Sequence, residues 1–208
     1  MSSAIIKSRA GGILDQITFD VKFVNAGTGS AVWDDPNATG SWNRVIERIM
    51  PRDRRHGPMI GILNLSKLRP TPIILRDVIV GIGEDVRAGR YGNFTFVVSS
   101  EDDATRNVIS DIAASKDVAI FVSSSPSHLE DAEPAGNLTI KDRETLGFVL
   151  QAGGTVTAAE LAEQLSIEPT TAGNRLIALN KKGYLQRVER PHPVGDQFLD
   201  ARSVRLNP

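Results

Sequence analysis

The sequence of 208 residues contains no cysteine. Disulfide bonds, thiolate zinc sites and cysteine nucleophiles are therefore excluded, and the composition is compatible with a reducing compartment. The chain also lacks an apolar run long enough to span a membrane, and its first residues, MSSAIIKSRAGG, lack the apolar core of a signal peptide. From these absences we expect a cytoplasmic protein without a membrane-bound segment.

Histidine is scarce and scattered. The histidines are His56, His128 and His192, and no two of them have the spacing of metal ligands. The sequence has no GxSxG or HExxH motif and no obvious Ser/His/Asp grouping. The glycine-rich segment 27–30 lacks the lysine of a phosphate-binding Walker loop. We therefore expect no metal, no cofactor and no enzymatic activity.

An excess of charge of either sign is also absent, because 24 basic residues oppose 25 acidic ones. Residues 1–135 carry 15 Lys and Arg against 17 Asp and Glu, a net charge of −2, and residues 136–208 carry 9 against 8, a net charge of +1. Phosphate contacts supply much of the affinity of DNA-binding proteins. A C-terminal part this close to neutrality predicts weak DNA binding by one copy, which a homodimer with two such parts would offset.

The C-terminal residues carry the clearest structural pattern. Thr157 and Glu160 have the spacing of a helix capping box, and Pro169 stands where the next helix begins. Residues 166–168 form the turn between these two helices. The second helix has an apolar stripe that consists of Ala172, Leu176, Leu179 and Gly183.

Two strand-like segments follow, residues 184–190 and residues 198–206, with the tip PHPVGDQ between them. Residues 142–206 as a whole resemble the winged helix-turn-helix domains of bacterial transcription regulators. The resemblance implies a recognition helix that enters the major groove of duplex DNA and a β-wing that grips the DNA backbone. It implies a fold and a groove geometry, and it names no operator.

The polar side of the predicted recognition helix suits base reading. With the apolar stripe turned inward, the opposite side carries Thr170, Thr171, Asn174, Arg175 and Ala178. Asparagine pairs with adenine and arginine with guanine, and the first turn of a helix offers backbone N–H groups to a phosphate. The alternative interpretation is a solvated helix face in a module used for dimerisation.

Further basic side chains are candidates for contacts with phosphates or the minor groove. They are Lys181, Lys182, Arg187, Arg190, His192 and Arg202. The two lysines stand at the end of the recognition helix, where a favourable interaction with the helix dipole explains them equally well. The arginines of the wing have an alternative interpretation as ordinary surface residues.

The N-terminal part alternates strand and helix signals. The segments with strand patterns are 13–24, 59–65, 94–98 and 118–122, with a short strand near 31–33. The segments with helical spacing are 42–50, 72–88 with Gly89 as C-cap, and a helix with Ser100 as N-cap. This order predicts an α/β fold with a mixed sheet covered by helices.

The run ILNLSKLRPTPIILRDVIVGIGEDVRAGRYGNFTFVVSS, followed by a helix and VAIFVSS, resembles the STAS-like domains of anti-sigma factor antagonists over residues 12–123. In that family a strand ends in an Asp-Leu-Ser-like sequence, and a helix begins at a phosphorylatable Ser or Thr. Here Asn-Leu-Ser at 64–66 ends the strand, so the resemblance makes Thr71 the candidate phosphoacceptor. Pro70 stands where the family has Asp, and the plainer role of Thr71 is a helix N-cap before Pro72.

Residues 124–140 are rich in Ser, Pro, Asp and Glu, which predicts a linker. We therefore expect an α/β sensory or interaction domain over residues 1–123 and a winged helix-turn-helix over residues 141–208. The favoured function is a homodimeric, DNA-binding transcriptional regulator whose N-terminal domain senses a regulatory protein partner or a small-molecule effector. The alternative is a partner-switching interaction protein, similar to anti-sigma antagonists, whose winged module docks protein rather than DNA.

Overall fold

The computed structural model describes residues 18–25, 31–39, 59–66, 71–90, 93–188 and 195–203. The strands in these residues are β1 (Thr18–Asn25), β2 (Ala31–Thr39), β3 (Met59–Asn64), β4 (Phe94–Ser99), β5 (Ile120–Ser123), β6 (Glu133–Ala135), β7 (Val156–Thr157), β8 (Gln186–Val188) and β9 (Gln197–Leu199). The helices are α1 (Pro72–Arg87), α2 (Asp103–Lys116), α3 (Ile140–Ala152), α4 (Ala158–Leu165), α5 (Pro169–Lys182) and a 3₁₀ helix (Ala201–Ser203). The predicted helix at 42–50 and the glycine-rich segment 27–30 lie outside the described residues. None of the described helices is long and apolar enough to cross a lipid bilayer.

Within the described residues, six strands form one mixed sheet in the order β2-β1-β3-β4-β5-β6. β3, β4 and β5 run parallel, and β1 and β6 are added antiparallel on either side of them. β2 pairs antiparallel with β1 at the edge and extends from the predicted short strand to Thr39. α1 connects β3 to β4, and α2 connects β4 to β5. The predicted α/β class with a mixed sheet is confirmed.

The central strands are buried on both faces, which explains their continuous apolar sequences. On one face, Leu63 of β3 belongs to a cluster with Ile79 of α1 and Ile109 of α2. On the other face, Ile62 of β3 belongs to a second cluster that includes Leu176 of α5. The C-terminal helices therefore share an apolar core with the second face of the sheet.

Residues 138–203, here called the C-terminal module, contain α3, α4, α5 and a three-stranded antiparallel sheet of order β7-β9-β8 among their described residues. α4 begins with the predicted capping box. The Thr157 N–H donates to the Glu160 carboxylate at 2.7 Å, and the Glu160 N–H donates to Thr157 Oγ1 at 3.3 Å. α5 begins with Pro169 and ends at Gly183, whose φ of 100° is a backbone conformation that favours glycine.

Some predicted element boundaries are wrong. The N-cap of α2 is Asp102, whose carboxylate accepts from the Thr105 N–H at 2.8 Å, whereas the predicted cap Ser100 is buried. The second wing strand was predicted over 198–206, but β9 ends at 199. The carboxylate of Asp200 accepts the N–H groups of residues 202 and 203, which turns the chain into the 3₁₀ helix instead. β8 is likewise shorter than the predicted strand over 184–190, of which 189 and 190 lie outside the described residues.

The segment 124–140, which the composition predicts to be a linker, is built into the fold. β6 within it pairs with β5, and Leu129, Ala132 and Leu138 are buried in the cluster on the second face of the sheet. The carboxylate of Asp131 accepts hydrogen bonds from Ser123 Oγ at 2.7 Å and from the Ser124 N–H at 3.1 Å. The serine-rich and acidic composition therefore reflects turns that side chains stabilise, rather than a solvated connection.

Asn93, just before β4, joins the sheet to the C-terminal module. Its Oδ1 accepts from the Arg187 N–H at 2.8 Å and from Asn180 Nδ2 at 2.9 Å, while its Nδ2 donates to the Arg187 carbonyl. One side-chain amide thus bonds both backbone groups of a β8 residue, as a neighbouring strand does. Tyr184 adds a hydrogen bond from its hydroxyl to the Ala135 carbonyl at 3.0 Å. These bonds hold the module in one orientation on the sheet.

Candidate nucleic-acid interface

α5 presents a polar face to solvent. Its buried stripe consists of Ala172, Leu176 and Leu179, three of the four predicted residues, and the fourth, Gly183, follows the helix as its C-cap. The residues on its other side are all exposed, and we call them the exposed face of α5: Thr170, Thr171, Asn174, Ala178 and Lys181. The module meets the sheet through the buried side of α5 and through Gly183 at its end, which lies against Val86 and Phe94. The exposed face therefore remains open in the described structure.

Arg175 is turned away from the exposed face. Its Nη1 donates to the carboxylate of Glu144 on α3 at 2.7 Å, and its side chain is only 20% exposed. Its Nε is buried without a hydrogen-bond partner among the described residues. Because Arg175 lies three residues after Ala172 and four before Leu179, it stands beside the buried stripe, where α3 packs. The structure thus separates Arg175 from Asn174, with which the sequence analysis grouped it.

A second ion pair joins α5 to α3. Lys182 Nζ lies 2.7 Å from the carboxylate of Asp142, which also accepts a hydrogen bond from the Thr139 N–H at 3.0 Å. Burial acts to raise the pKa of Asp142, but the hydrogen bonds from Lys182 and Thr139 outweigh it and hold the pKa below its ordinary value. Asp142 is therefore ionised at neutral pH, and Lys182 is partly neutralised by it.

The predicted contact residues of the wing are less open. Arg187 on β8 is paired with Asp196, with distances to one carboxylate oxygen of 2.8 Å from Nε and 2.5 Å from Nη2. Arg202 lies in the 3₁₀ helix and is half-buried. Arg190 and His192 lie outside the described residues. The predicted contact residues that stand together without ion pairs in the described structure are Thr170, Thr171, Asn174 and Lys181.

A polar groove of about 470 Å³ lies at the carboxyl end of β5, which is where α/β sheets commonly bind ligands. Asp131 and Arg106 are among its lining residues. Burial acts to raise the pKa of Asp131, but the hydrogen bonds from Ser124 and Ser123 lower it further than burial raises it. Arg106 Nη1 donates a hydrogen bond to the Ser100 carbonyl at 2.6 Å, and the guanidinium also forms an ion pair with Asp103. No sequence motif predicts this groove, and the one local signal of it is the serine run directly after a buried strand.

Thr71, the candidate phosphoacceptor, is exposed and occupies the N-cap position of α1, directly before Pro72. The N-cap position is the one predicted. The Thr71 side chain makes no capping hydrogen bond, so its hydroxyl contributes nothing to the helix terminus.

In the part of the chain that the structure describes, no group of three or more histidine, aspartate or glutamate side chains could hold a metal ion. Comparisons of the chain with protein-family models, with curated proteins and with solved structures found no match. The resemblances to winged helix-turn-helix and STAS-like domains therefore stay predictions.

Proposed function

We propose that the protein is a transcriptional regulator that binds duplex DNA through the exposed face of α5. The observation that supports the proposal is this open polar face on a helix whose remaining sides are held by α3, α4 and the sheet. With its side chains an α-helix is about 10–12 Å wide, which matches a major groove about 12 Å wide. A helix that is already fixed in place also loses little conformational entropy on entering the groove.

In this proposal Asn174 contacts bases, because its amide both donates and accepts hydrogen bonds, as adenine N7 and N6 require. Thr170 and Thr171 lie in the first turn of α5, where hydroxyl and backbone N–H groups contact a phosphate. Lys181 contacts the DNA backbone at the other end of the face. The N-terminal sheet carries the module and senses a regulatory partner or effector.

A homodimer belongs to the proposal because the module itself is neutral. Its described residues between 138 and 203 carry seven Lys and Arg and seven Asp and Glu. A single neutral module gains little affinity from phosphates, whereas two linked modules bind with an enhanced effective concentration. Two copies of α5 about 34 Å apart would contact successive major grooves on one side of the duplex.

The experiment is a selection from a random duplex pool, followed by fluorescence anisotropy titrations with the selected duplex and a scrambled one. Asn174→Ala should reduce the ratio of the two affinities about 5- to 150-fold for each half-site bound, because one bidentate base contact contributes about 1–3 kcal/mol. Lys181→Ala should weaken binding to both duplexes alike. Unchanged affinities of Asn174→Ala for both duplexes would contradict base reading, and a wild-type protein that binds neither duplex at low salt would contradict the function.

A partner-switching protein is the second candidate function, and the exposure of Thr71 supports it. The side chain of Thr71 stands at a helix N-terminus, where a phosphate is electrostatically favourable, and makes no capping bond that phosphorylation would break. A pull-down with intact-mass analysis separates the two candidates. A complex with a protein kinase or a sigma-factor-like partner, formed without measurable DNA affinity, would favour the second.

A further inference from the structure

The exposed acidic residues of α4 and the exposed basic residues at the end of α5 lie in different parts of the C-terminal module. Between Glu144 and Arg175 the chain contains no lysine or arginine. The acidic residues of this stretch, on α4 and at the N-cap of α5, are exposed: Glu160, Glu163 and Glu168. The basic residues gather at the opposite end, at the start of α3 and the end of α5, and are also exposed: Lys141, Arg143, Lys181 and Lys182. We call these four residues the basic border.

The ion pair between Lys182 and Asp142 brings the two halves of the basic border together. Lys182 Nζ lies 2.7 Å from the Asp142 carboxylate, so the pair connects the last turn of α5 to the first turn of α3. Lys141 and Arg143 are the chain neighbours of Asp142, and Lys181 is the chain neighbour of Lys182. The four cations therefore lie on the two helix turns that this ion pair joins, and together with Asp142 they give the border a net charge of +3.

Most of this positive charge is unpaired. Among the described residues, no carboxylate lies within ion-pair distance of Lys141, Arg143 or Lys181. Arg143 Nε donates to the Leu138 carbonyl at 3.3 Å, which ties the stem of the side chain to the start of α3. Its Nη groups have no hydrogen-bond partner in the described structure. They are therefore available to an external anion such as a phosphate, which a guanidinium binds through two parallel hydrogen bonds.

We infer that the basic border is a phosphate-binding surface for the backbone of duplex DNA, continuing the exposed face of α5 beyond its C-terminal end. This inference rests on the proposed DNA-binding function and adds Lys141 and Arg143 to the contact residues. Lys181 belongs to both surfaces, so a duplex along the exposed face reaches the border.

The test uses the full-length Lys141→Ala/Arg143→Ala double variant and the duplex selected with the wild type. Each phosphate contact contributes about 0.9 to the slope of log affinity against log salt concentration. Because both copies of the proposed homodimer carry the double variant and lose two contacts each, the slope should fall by about 3.6 and binding to all duplexes should weaken alike. Lys141→Ala alone should reduce it by about 1.8, one contact in each copy. The charge-matched control is Arg76→Glu. Arg76 is exposed on α1, about 15 Å along the helix from Val86, where α1 meets the module.

The outcomes separate the inference from the function on which it rests. A wild type that binds duplex while both variants retain its salt slope would overturn the basic border and leave the proposed function standing. An equal loss of slope in Arg76→Glu would reveal a general effect of net charge and would also overturn the border. A wild type without duplex affinity would overturn both.

Discussion

Arg175 of α5 donates a hydrogen bond from Nη1 to the carboxylate of Glu144 on α3, at a distance of 2.7 Å. Lys182 makes a second ion pair between the same two helices, with Asp142. Arg175 and Lys182 are seven residues apart and therefore lie on one side of α5, two turns from each other. Two carboxylates in the first half of α3 thus pair with two cations that would otherwise be available to the phosphates of a bound duplex.

Removal of the Glu144 charge should therefore strengthen DNA binding. Glu144→Gln keeps the shape of the side chain but releases Arg175, and we expect duplex affinity to rise about three- to tenfold, or roughly 1 kcal/mol. Stability should change by less than about 1 kcal/mol, because Glu144 is half exposed and such pairs contribute little. Anisotropy titrations measure the affinity, with Glu163→Gln on α4 as the charge-matched control. If Glu144→Gln binds more weakly than Glu163→Gln, the pair positions Arg175 for DNA rather than withholding it.

The junction at Asn93 should contribute strongly to stability. Asn93→Ala removes the hydrogen bonds with Arg187 and Asn180 and leaves their polar groups without partners. We expect a loss of about 2–4 kcal/mol in the free energy of unfolding, measured by urea denaturation. Asn107→Ala, an exposed asparagine on α2, is the control and should change stability by less than about 0.5 kcal/mol. A similarly small change for Asn93→Ala would mean that the apolar core alone fixes the module on the sheet.

Two helical glycines should respond to alanine in opposite ways. A methyl group at Gly83 of α1 would overlap Val118 Cγ2 and lie 3.1 Å from Cγ1, whereas one at Gly147 of α3 would meet nothing within 4 Å. Gly147→Ala should raise the free energy of unfolding by about 0.5–1 kcal/mol, since alanine favours the helix. Gly83→Ala should lower it by about 1–3 kcal/mol through overpacking against Val118. Thermal unfolding compares the two, and a stabilised Gly83→Ala would show that α1 can move away from Val118.

Stability should also decline at alkaline pH through Tyr184. Burial, together with the charges of Asp117 and Asp142, raises the pKa of the Tyr184 hydroxyl above its ordinary value. The unfolded chain releases this proton near pH 10, while the folded chain retains it. The contribution is therefore fully present below about pH 10 and is lost as the pH rises above it, by at most about 1.4 kcal/mol per pH unit. Urea denaturation of wild type and Tyr184→Phe across this range should show a shallower decline for the variant; identical declines would contradict the assignment.

The sequence predicts the features of this chain that depend on local spacing. The apolar runs of β3, β4 and β5 and the capping box at Thr157 follow from neighbouring residues. The exposure of Asn174 follows in the same way from the helical period. Contacts between residues that are distant in the sequence cannot be predicted from local spacing. Arg175 and Glu144 are separated by 31 residues, and Asn93 and Arg187 by 94, so no local pattern predicts either contact.

The segment 124–140 is a second case in which contacts with distant residues, and not local composition, decide the structure. Its polar composition resembles that of a linker, yet β6 is held there by pairing with β5, and Leu129, Ala132 and Leu138 belong to the buried cluster that includes residues of the C-terminal module. Amino-acid composition gives only the average polarity of the segment and does not show which of its residues are buried. Burial of Leu129 and Leu138 depends on a surface that the rest of the chain supplies.

A titration of the full-length protein with the selected duplex, followed by amide NMR, tests most directly whether the exposed face of α5 enters DNA. We expect the largest chemical-shift changes at residues 170–182, with a second group at residues 140–143 and small changes in α1 and α2. Changes confined to α1 and α2, with the amides of Asn174 and its neighbours unaffected at saturation, would contradict the proposed function.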